Sequence, residues 1–217
     1  MFLEADRNYV LADRVILHFD HAIRTLFGNP IVTERANPAA KLAEARLTSA
    51  EKRHIAGLMR VNQAGEVAAQ GLYQGQALAA KNLSIKQAMQ RSAHEENDHL
   101  NWCQNRLKEL DSHTSCLNLV WYTGSLLIGI IAGLVGDQWS LGFVEETELQ
   151  VTQHLMNHQQ RLPAHDLKTA KILQQMQIDE AAHADKAKSE GGEELPLAIK
   201  KIMQLFSKVM TSTAYYI

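Results

Sequence analysis

Apolar residues recur at helical spacing through most of this chain. From Tyr9 to Phe27, YVLADRVILHFDHAIRTLF, the positions Val10, Val15, Leu17, Phe19, Ile23, Leu26 and Phe27 stand among charges, and Gly28-Asn29-Pro30 closes the run. This pattern predicts an amphipathic helix that packs on the body of the protein or turns one side to a membrane or a second copy. Residues 30–47 carry Pro30, Pro38 and no clean period, and read as a linker. Thr48 with Glu51 makes a capping box, opening a helix that runs to about Lys81. Gly57, Gly65, Gly71 and Gly75 interrupt it, each costing a free helix about 1 kcal/mol against alanine. Close helix approach or room for a substrate would each account for them. Ser84 with Gln87 makes a second box, for a helix to about Glu109. Two more helical patterns cover Ser140–Gln160 and, past Pro163, a stretch to Ser189 that ends at Gly191-Gly192. Pro196 opens a last helix bearing Leu197, Ile199, Ile202, Leu205, Phe206 and Val209, expected to cover the rest. No alternation of Val, Ile and Thr argues for strands, so the class is all-α.

One stretch departs from this amphipathic pattern. Residues 112–136, SHTSCLNLVWYTGSLLIGIIAGLVG, contain no Asp, Glu, Lys or Arg. A charge-free run of that length can cross a bilayer, and Trp121, Tyr122 and Trp139 near its ends suit a membrane interface. The 217 residues divide into an N-terminal helix and linker, 1–47, and a helical body, 48–217. A net charge of −2 gives no electrostatic reason to expect nucleic acid. Cys103 and Cys116 form no C-x-x-C, so no disulfide framework is expected and a reducing compartment is. The acidic opening MFLEADRNYV does not read as a secretory signal.

The chemistry lies in glutamate and histidine. A Glu and a His three apart on a helix share a face and can reach one metal. The chain holds three such pairs: Glu51/His54, Glu96/His99 and Glu180/His183. Depth along the helices separates them. Glu66 and Glu96 lie roughly 24 and 18 Å from the turn near Asn82–Ser84, at nearly one level. Glu51 lies about 46 Å from it, and serves instead at a helix entrance. In the second hairpin, which turns near Leu162–Ala164, Glu148 and Glu180 are again level. Glu145 and Glu148 share a face, so geometry leaves both open, while Glu146 points away. A Glu followed by Glu-x-x-His, given twice, is the inward-facing ligand set of a ferritin-like four-helix bundle with a di-iron centre. His94, Glu95 and Asp98 are expected in solvent or in support of the ligands; His154 and His158 are expected at the surface or in outer positions.

Carboxylates and imidazoles without thiolates suit iron or manganese and argue against structural zinc. Four buried carboxylates would repel one another unless a metal joined them. The same constellation argues against a single membrane crossing by 112–136, which would put the two hairpins on opposite sides. The stretch is expected to lie in one leaflet or to pack as a crossover. A ligand set of this kind serves substrate oxidation, peroxide chemistry or iron oxidation for storage, and a long apolar segment favours a lipid substrate.

The motifs RVNQAGEVAAQGLYQGQALAA, EENDHL, WSLGFVEETELQVTQHL and DEAAHADKA, with the N-terminal ADRVILHFDHAIRTLFG, resemble the 3-demethoxyubiquinol 3-hydroxylase family of ubiquinone biosynthesis, its bacterial branch most. The resemblance covers most of the chain. It implies an O₂-dependent di-iron monooxygenase with two iron ions, acting on a polyprenylated methoxy-methyl-benzoquinol. It implies Glu66, from the AGE triplet, as ligand, with Glu96, His99, Glu180 and His183, and it selects Glu148 over Glu145 by the His-Leu that follows. No side chain beyond the ligands is implied as catalytic. Expected with it are peripheral contact with the cytoplasmic side of the cell membrane, and a homo-oligomer or a ubiquinone-biosynthesis complex. The alternative is a ferritin- or rubrerythrin-like ferroxidase or peroxidase without organic substrate. Two positions depart from the family: Gln63 stands where it usually has His, and the Arg-Pro before the apolar segment is missing. Gln can hydrogen-bond a carboxylate but does not titrate near neutral pH. No dinucleotide fingerprint is present, so electrons are expected from the quinol or from another donor.

Overall fold

A computed structural model describes residues 11–28 and 35–217. The expected helix start at Tyr9 and Val10, the Val15 side chain, the Asn29-Pro30 stop and residues 30–34 of the linker lie outside what is described. Among the described residues there are seven helices: α1 (Leu11–Phe27), α2 (Ser49–Ala79), α3 (Leu83–Glu109), α4 (Asn118–Val135), α5 (Asp137–Gln160), α6 (Leu167–Ser189) and α7 (Leu197–Ala214). Among the described residues there is no strand.

Local chemistry sets most of the helix ends. The Thr48 hydroxyl accepts from the Glu51 backbone N–H at 3.3 Å, and the Glu51 carboxylate accepts from the Thr48 N–H at 2.8 Å, completing the expected box. The second expected box does not form. Asn82 is the cap: its side-chain oxygen accepts from the Ser84 N–H at 2.9 Å and from the Ser84 hydroxyl at 2.8 Å. Asn is as good a cap as Ser, and it comes first in the chain. Asp166 caps α6 by accepting from the Thr169 N–H, and Gly191, with φ +98°, ends that helix.

The hairpins α2–α3 and α5–α6 build the bundle. The Asp137 carboxylate accepts from the backbone N–H groups of Lys81 and Asn82 at 3.1 and 2.9 Å, which puts the start of α5 beside the α2–α3 turn. The connection between hairpins is therefore α4, running alongside α2 for the length of the bundle. Glycines set that approach. A Cβ at Gly75 would lie 2.2 Å from the Leu126 carbonyl oxygen, and one at Gly129 2.2 Å from that of Leu72. Gly71 meets the Tyr122 carbonyl in the same way. Close helix approach thus accounts for Gly71 and Gly75, and Gly57 makes room for the Tyr215 ring.

Two apolar layers fill the bundle. One joins Ile55, Met59, Trp102, Leu107, Leu155 and Met176; the other joins Tyr73, Ala77, Met89, Ala93, Leu141 and Val144. Between them, halfway along all four helices, lie the glutamates and histidines. The second part of the linker is fastened to the bundle, since Glu44 takes Arg106 at 2.7 Å and Lys168 at 3.3 Å.

The outer helices turn apolar residues outward. On α4 the inward side is Asn118, Tyr122, Gly129, Ala132 and Gly133, while Leu119, Val120, Leu127, Ile131, Leu134 and Val135 are exposed. Exposed Ile16, Phe19, Ile23 and Phe27 mark α1, which packs on α2 and α4 through Ala22 and Leu26. α7 departs in part from expectation: Leu197, Ile202, Leu205, Phe206 and Val209 are exposed, while half-buried Ile199, Met203 and Met210, with Ser207, Thr211 and buried Ala214, face the bundle. The amphipathic pattern in 196–209 is real, but the side bearing Leu205 and Phe206 does not cover α2 and α5.

Candidate metal centre

The six expected residues meet in one buried cluster. Glu66 comes from α2, Glu96 and His99 from α3, Glu148 from α5, and Glu180 and His183 from α6. Glu66, Glu96, Glu148 and Glu180 are 4, 1, 2 and 1 % exposed, so each carboxylate has left water. His99 Nδ1 lies 2.8 Å from Glu96 Oε2, 3.0 Å from Glu180 Oε1 and 3.8 Å from Glu66 Oε2. His183 Nδ1 lies 2.9 Å from Glu96 Oε1 and 3.4 Å from Glu180 Oε2. Glu96 and Glu180 therefore each give one oxygen to the His99 side and the other to the His183 side. Glu66 flanks the first and Glu148, beside Glu180, flanks the second. Glu145 instead pairs with Lys188 at 3.4 Å on the surface, and Glu146 with Lys200 at 3.3 Å.

Electrostatics point the same way. Burial, and then the neighbouring Glu96 and Glu180, push the Glu66 carboxyl well above its usual range; burial, Glu180 and Glu96 do so for Glu148. Burial works against the charged forms of Glu96, His99 and His183 as well. Both imidazoles nevertheless hold Glu96 far below the usual range, and Glu96 raises both in return. A pocket that draws protons this strongly onto its donors draws a cation in their place. Glu96 Oε1, Glu180 Oε2 and His183 Nδ1 converge, enclosed, with no aligned hydrogen-bond partner. Orphaned donors of that kind fit a metal ion, and Glu66, Glu96, His99 and Glu180 bring one ligand atom each within 4.8 Å of one another.

Around these lies a bracing layer, of which the sequence reading picked out only Glu95, expected in solvent or in support of the ligands. His99 Nε2 donates to Asp179 at 2.9 Å, and Arg35 holds Asp179 at 2.7 Å. His183 Nε2 donates to Glu95 at 3.0 Å, and Arg91 holds Glu95 at 2.7 Å. The His183 hydrogen bond, against burial and together with Arg91, pulls Glu95 down to about 2. Each acid directly precedes a ligand glutamate and serves the imidazole of the other helix. The signal was in the sequence, as an acid before Glu in both Glu-x-x-His motifs. The Tyr73 hydroxyl, seven residues after Glu66 and so on nearly the same face, donates a short hydrogen bond to Glu148 Oε1.

The remaining candidates separate cleanly. Glu51 caps its helix, and His54 Nδ1 lies 2.6 Å from the Tyr215 hydroxyl. His158 is buried against Asn62 at 3.0 Å and His154 against His158, so neither is a surface group. Gln63 accepts from Asn118 of α4 at 3.0 Å.

Comparison with known proteins bears on this site directly. The family model of ubiquinone biosynthesis protein COQ7 matches residues 53–214, which include all six clustered residues. The chain belongs to the COQ7 family. A COQ7 relative from Nitrosococcus oceani named 3-demethoxyubiquinol 3-hydroxylase is 56 % identical over 205 residues, covering 94 % of this chain and 96 % of the relative. Proteins of the same name from Acinetobacter baylyi and from Coxiella burnetii (strain CbuG_Q212) are each 52 % identical over 211 residues, or 97 % of this chain and 100 and 98 % of theirs.

Proposed function

We infer that this protein hydroxylates the ring of a demethoxyubiquinol with O₂. The observation that carries the reading is the buried cluster of four carboxylates and two imidazoles. It lies in a chain more than half identical to enzymes named for this reaction. A ring C–H becomes C–OH, the second oxygen leaves as water, and two electrons and two protons come from a reductant.

Glu66, Glu96, His99, Glu148, Glu180 and His183 would hold the iron, with Glu96 and Glu180 placed between the two imidazoles. The bound irons would supply the reduction of O₂ that no side chain can perform. The chain supplies the rest. Asp179 and Glu95 fix the two imidazoles with Nδ1 inward, Tyr73 holds Glu148 in place, and the apolar layers above and below keep water out. The outward apolar residues of α1, α4 and α7, all packed on α2, suit one face resting in a lipid leaflet, on the cytoplasmic side of the cell membrane. A ferroxidase has no use for such a face.

The quinone profile of cells lacking this protein is the test. Demethoxyubiquinone should accumulate, and the wild-type chain, but not His183→Ala or Glu180→Ala, should restore ubiquinone. An unchanged quinone pool would overturn the reading.

A further inference from the structure

The two helices that carry the Glu-x-x-His pairs, α3 and α6, belong to different hairpins, so no short turn fixes one against the other. At the level of the cluster a residue from outside both hairpins spans them. Arg35, in the linker before α2, reaches Asp179 of α6 through Nη1 at 2.7 Å and Asp98 of α3 through Nε at 3.5 Å. Each acid directly precedes a cluster residue: Asp98 stands before His99, and Asp179 before Glu180. Asp179 in turn accepts from His99 Nε2 at 2.9 Å. The guanidinium is seated over the Trp102 ring, 5.3 Å from its centroid. That ring flanks the His99 imidazole, with centroids 5.3 Å apart and a 48° tilt. One cation thus lies behind both neighbours of the His99 outer edge.

We propose that Arg35 is a positioning residue of the metal centre, acting through Asp179 to hold the His99 imidazole with Nδ1 turned to the cluster. The proposal rests on the reading of the cluster as an iron site and extends that site to the linker. Energetics separate this role from mere fastening. The Arg35 side chain is 38 % exposed, and an ion pair so open to water adds little to stability. The linker also has other anchors: Glu44 takes Arg106 and Lys168, and Ala39 is buried in the apolar layer that holds Trp102. What Arg35 adds is direction. A planar guanidinium can present its edge to two carboxylates while its face rests on an indole; a lysine ammonium has neither edge nor face. A carboxylate on an imidazole fixes which nitrogen is turned to a metal, so a carboxylate left to swing relaxes that constraint.

The test is an anaerobic competitive chelator titration of the full chain with Fe(II). Arg35→Met should weaken iron binding about tenfold, the lower end of the effect of an outer partner on a metal-bound imidazole, with the thermal midpoint of the metal-free protein unchanged. Arg35→Met/Asp179→Asn should bind no more weakly than Asp179→Asn alone, since one residue acts through the other; effects that multiply overturn the proposal. Arg35→Lys, which keeps the charge without the fork, should recover only part of the loss, and full recovery overturns the directional role. Glu44→Gln, which loosens the same linker elsewhere, should leave iron affinity at the wild-type value. The visible absorption of Co(II)-loaded protein should shift alike in Arg35→Met and Asp179→Asn but not in Glu44→Gln. Wild-type affinity in Arg35→Met, or an equal loss in Glu44→Gln, overturns the proposal and leaves the hydroxylase reading standing. A wild type that binds no iron overturns both.

Discussion

Asp179 and Glu95 do for the imidazoles what the apolar layers do for the cluster as a whole, fixing groups that would otherwise turn. An outer partner of a metal-bound His is worth roughly 10–100-fold in metal affinity. Asp179→Asn and Glu95→Gln are each expected to weaken Fe(II) binding by that order in a competitive chelator titration; affinity equal to wild type would show the braces idle. A second expectation concerns pH. His158 is pushed down to about 2 by burial and then by His154, Arg161 and His54. A His lowered on folding adds stability that is whole above its unfolded value, about 6.5, and is lost as pH falls toward the folded value. Below pH 6.5 the wild type should lose stability faster than His158→Asn, by up to about 1.4 kcal/mol per pH unit. Urea denaturation of both at pH 7 and pH 5 checks this, and parallel losses would count against it. Helical spacing and depth singled out Glu66, Glu96, His99, Glu180 and His183 and left Glu145 and Glu148 both open. Of the braces, Glu95 stood out beside a ligand pair, but the imidazoles that Glu95 and Asp179 serve lie on other helices. Arg35 reaches Asp179 across 144 positions, a pairing no local pattern encodes.

At the scale of the helix, the α2–α4 seam is the tightest contact and depends on absent side chains. Gly75→Val would force a Cβ against the Leu126 carbonyl and the Ile130 N–H. Neither is the movable end of a side chain, so the helices must part. The expected cost is at least about 1–3 kcal/mol, read as a lower thermal midpoint, whereas Gly65→Ala should cost nothing comparable. Equal midpoints for the two would mean that the seam contributes no stability. Periodicity located the helices well: Thr48 caps α2, Pro163 lies in the turn between α5 and α6, and α6 ends just before Gly191, although α5 starts at Asp137 and not at Ser140. It could not tell which way the apolar side of α7 faces. A hydrophobic stripe records that a helix has two sides; whether protein or lipid takes the apolar one depends on neighbours far along the chain.

For the molecule as a whole, the crossover by α4 reconciles an apolar helix of membrane-crossing length with one intact bundle. Both hairpins stay together in one bundle, and the helix exposes a side bearing Leu127, Ile131 and Leu134, which are 60, 62 and 63 % exposed, the side a bilayer would meet on the proposed reading. Wild-type protein is expected to float with anionic liposomes. Leu127→Asp/Ile131→Asp should remain in the soluble fraction while retaining its iron, and flotation equal to wild type would remove α4 from the membrane face.

The crossed braces also bear on how the protein could be taken apart. The α2–α3 half carries Glu66, Glu96 and His99 but lacks Asp179, the acid that orients His99; the α5–α6 half carries His183 but lacks Glu95. Neither half owns a finished site. If the backbone were severed within residues 112–117 and the fragments produced separately, each alone should bind iron feebly. Mixed, they should reassemble around the metal, with iron acting as the fastener between two otherwise incompetent pieces.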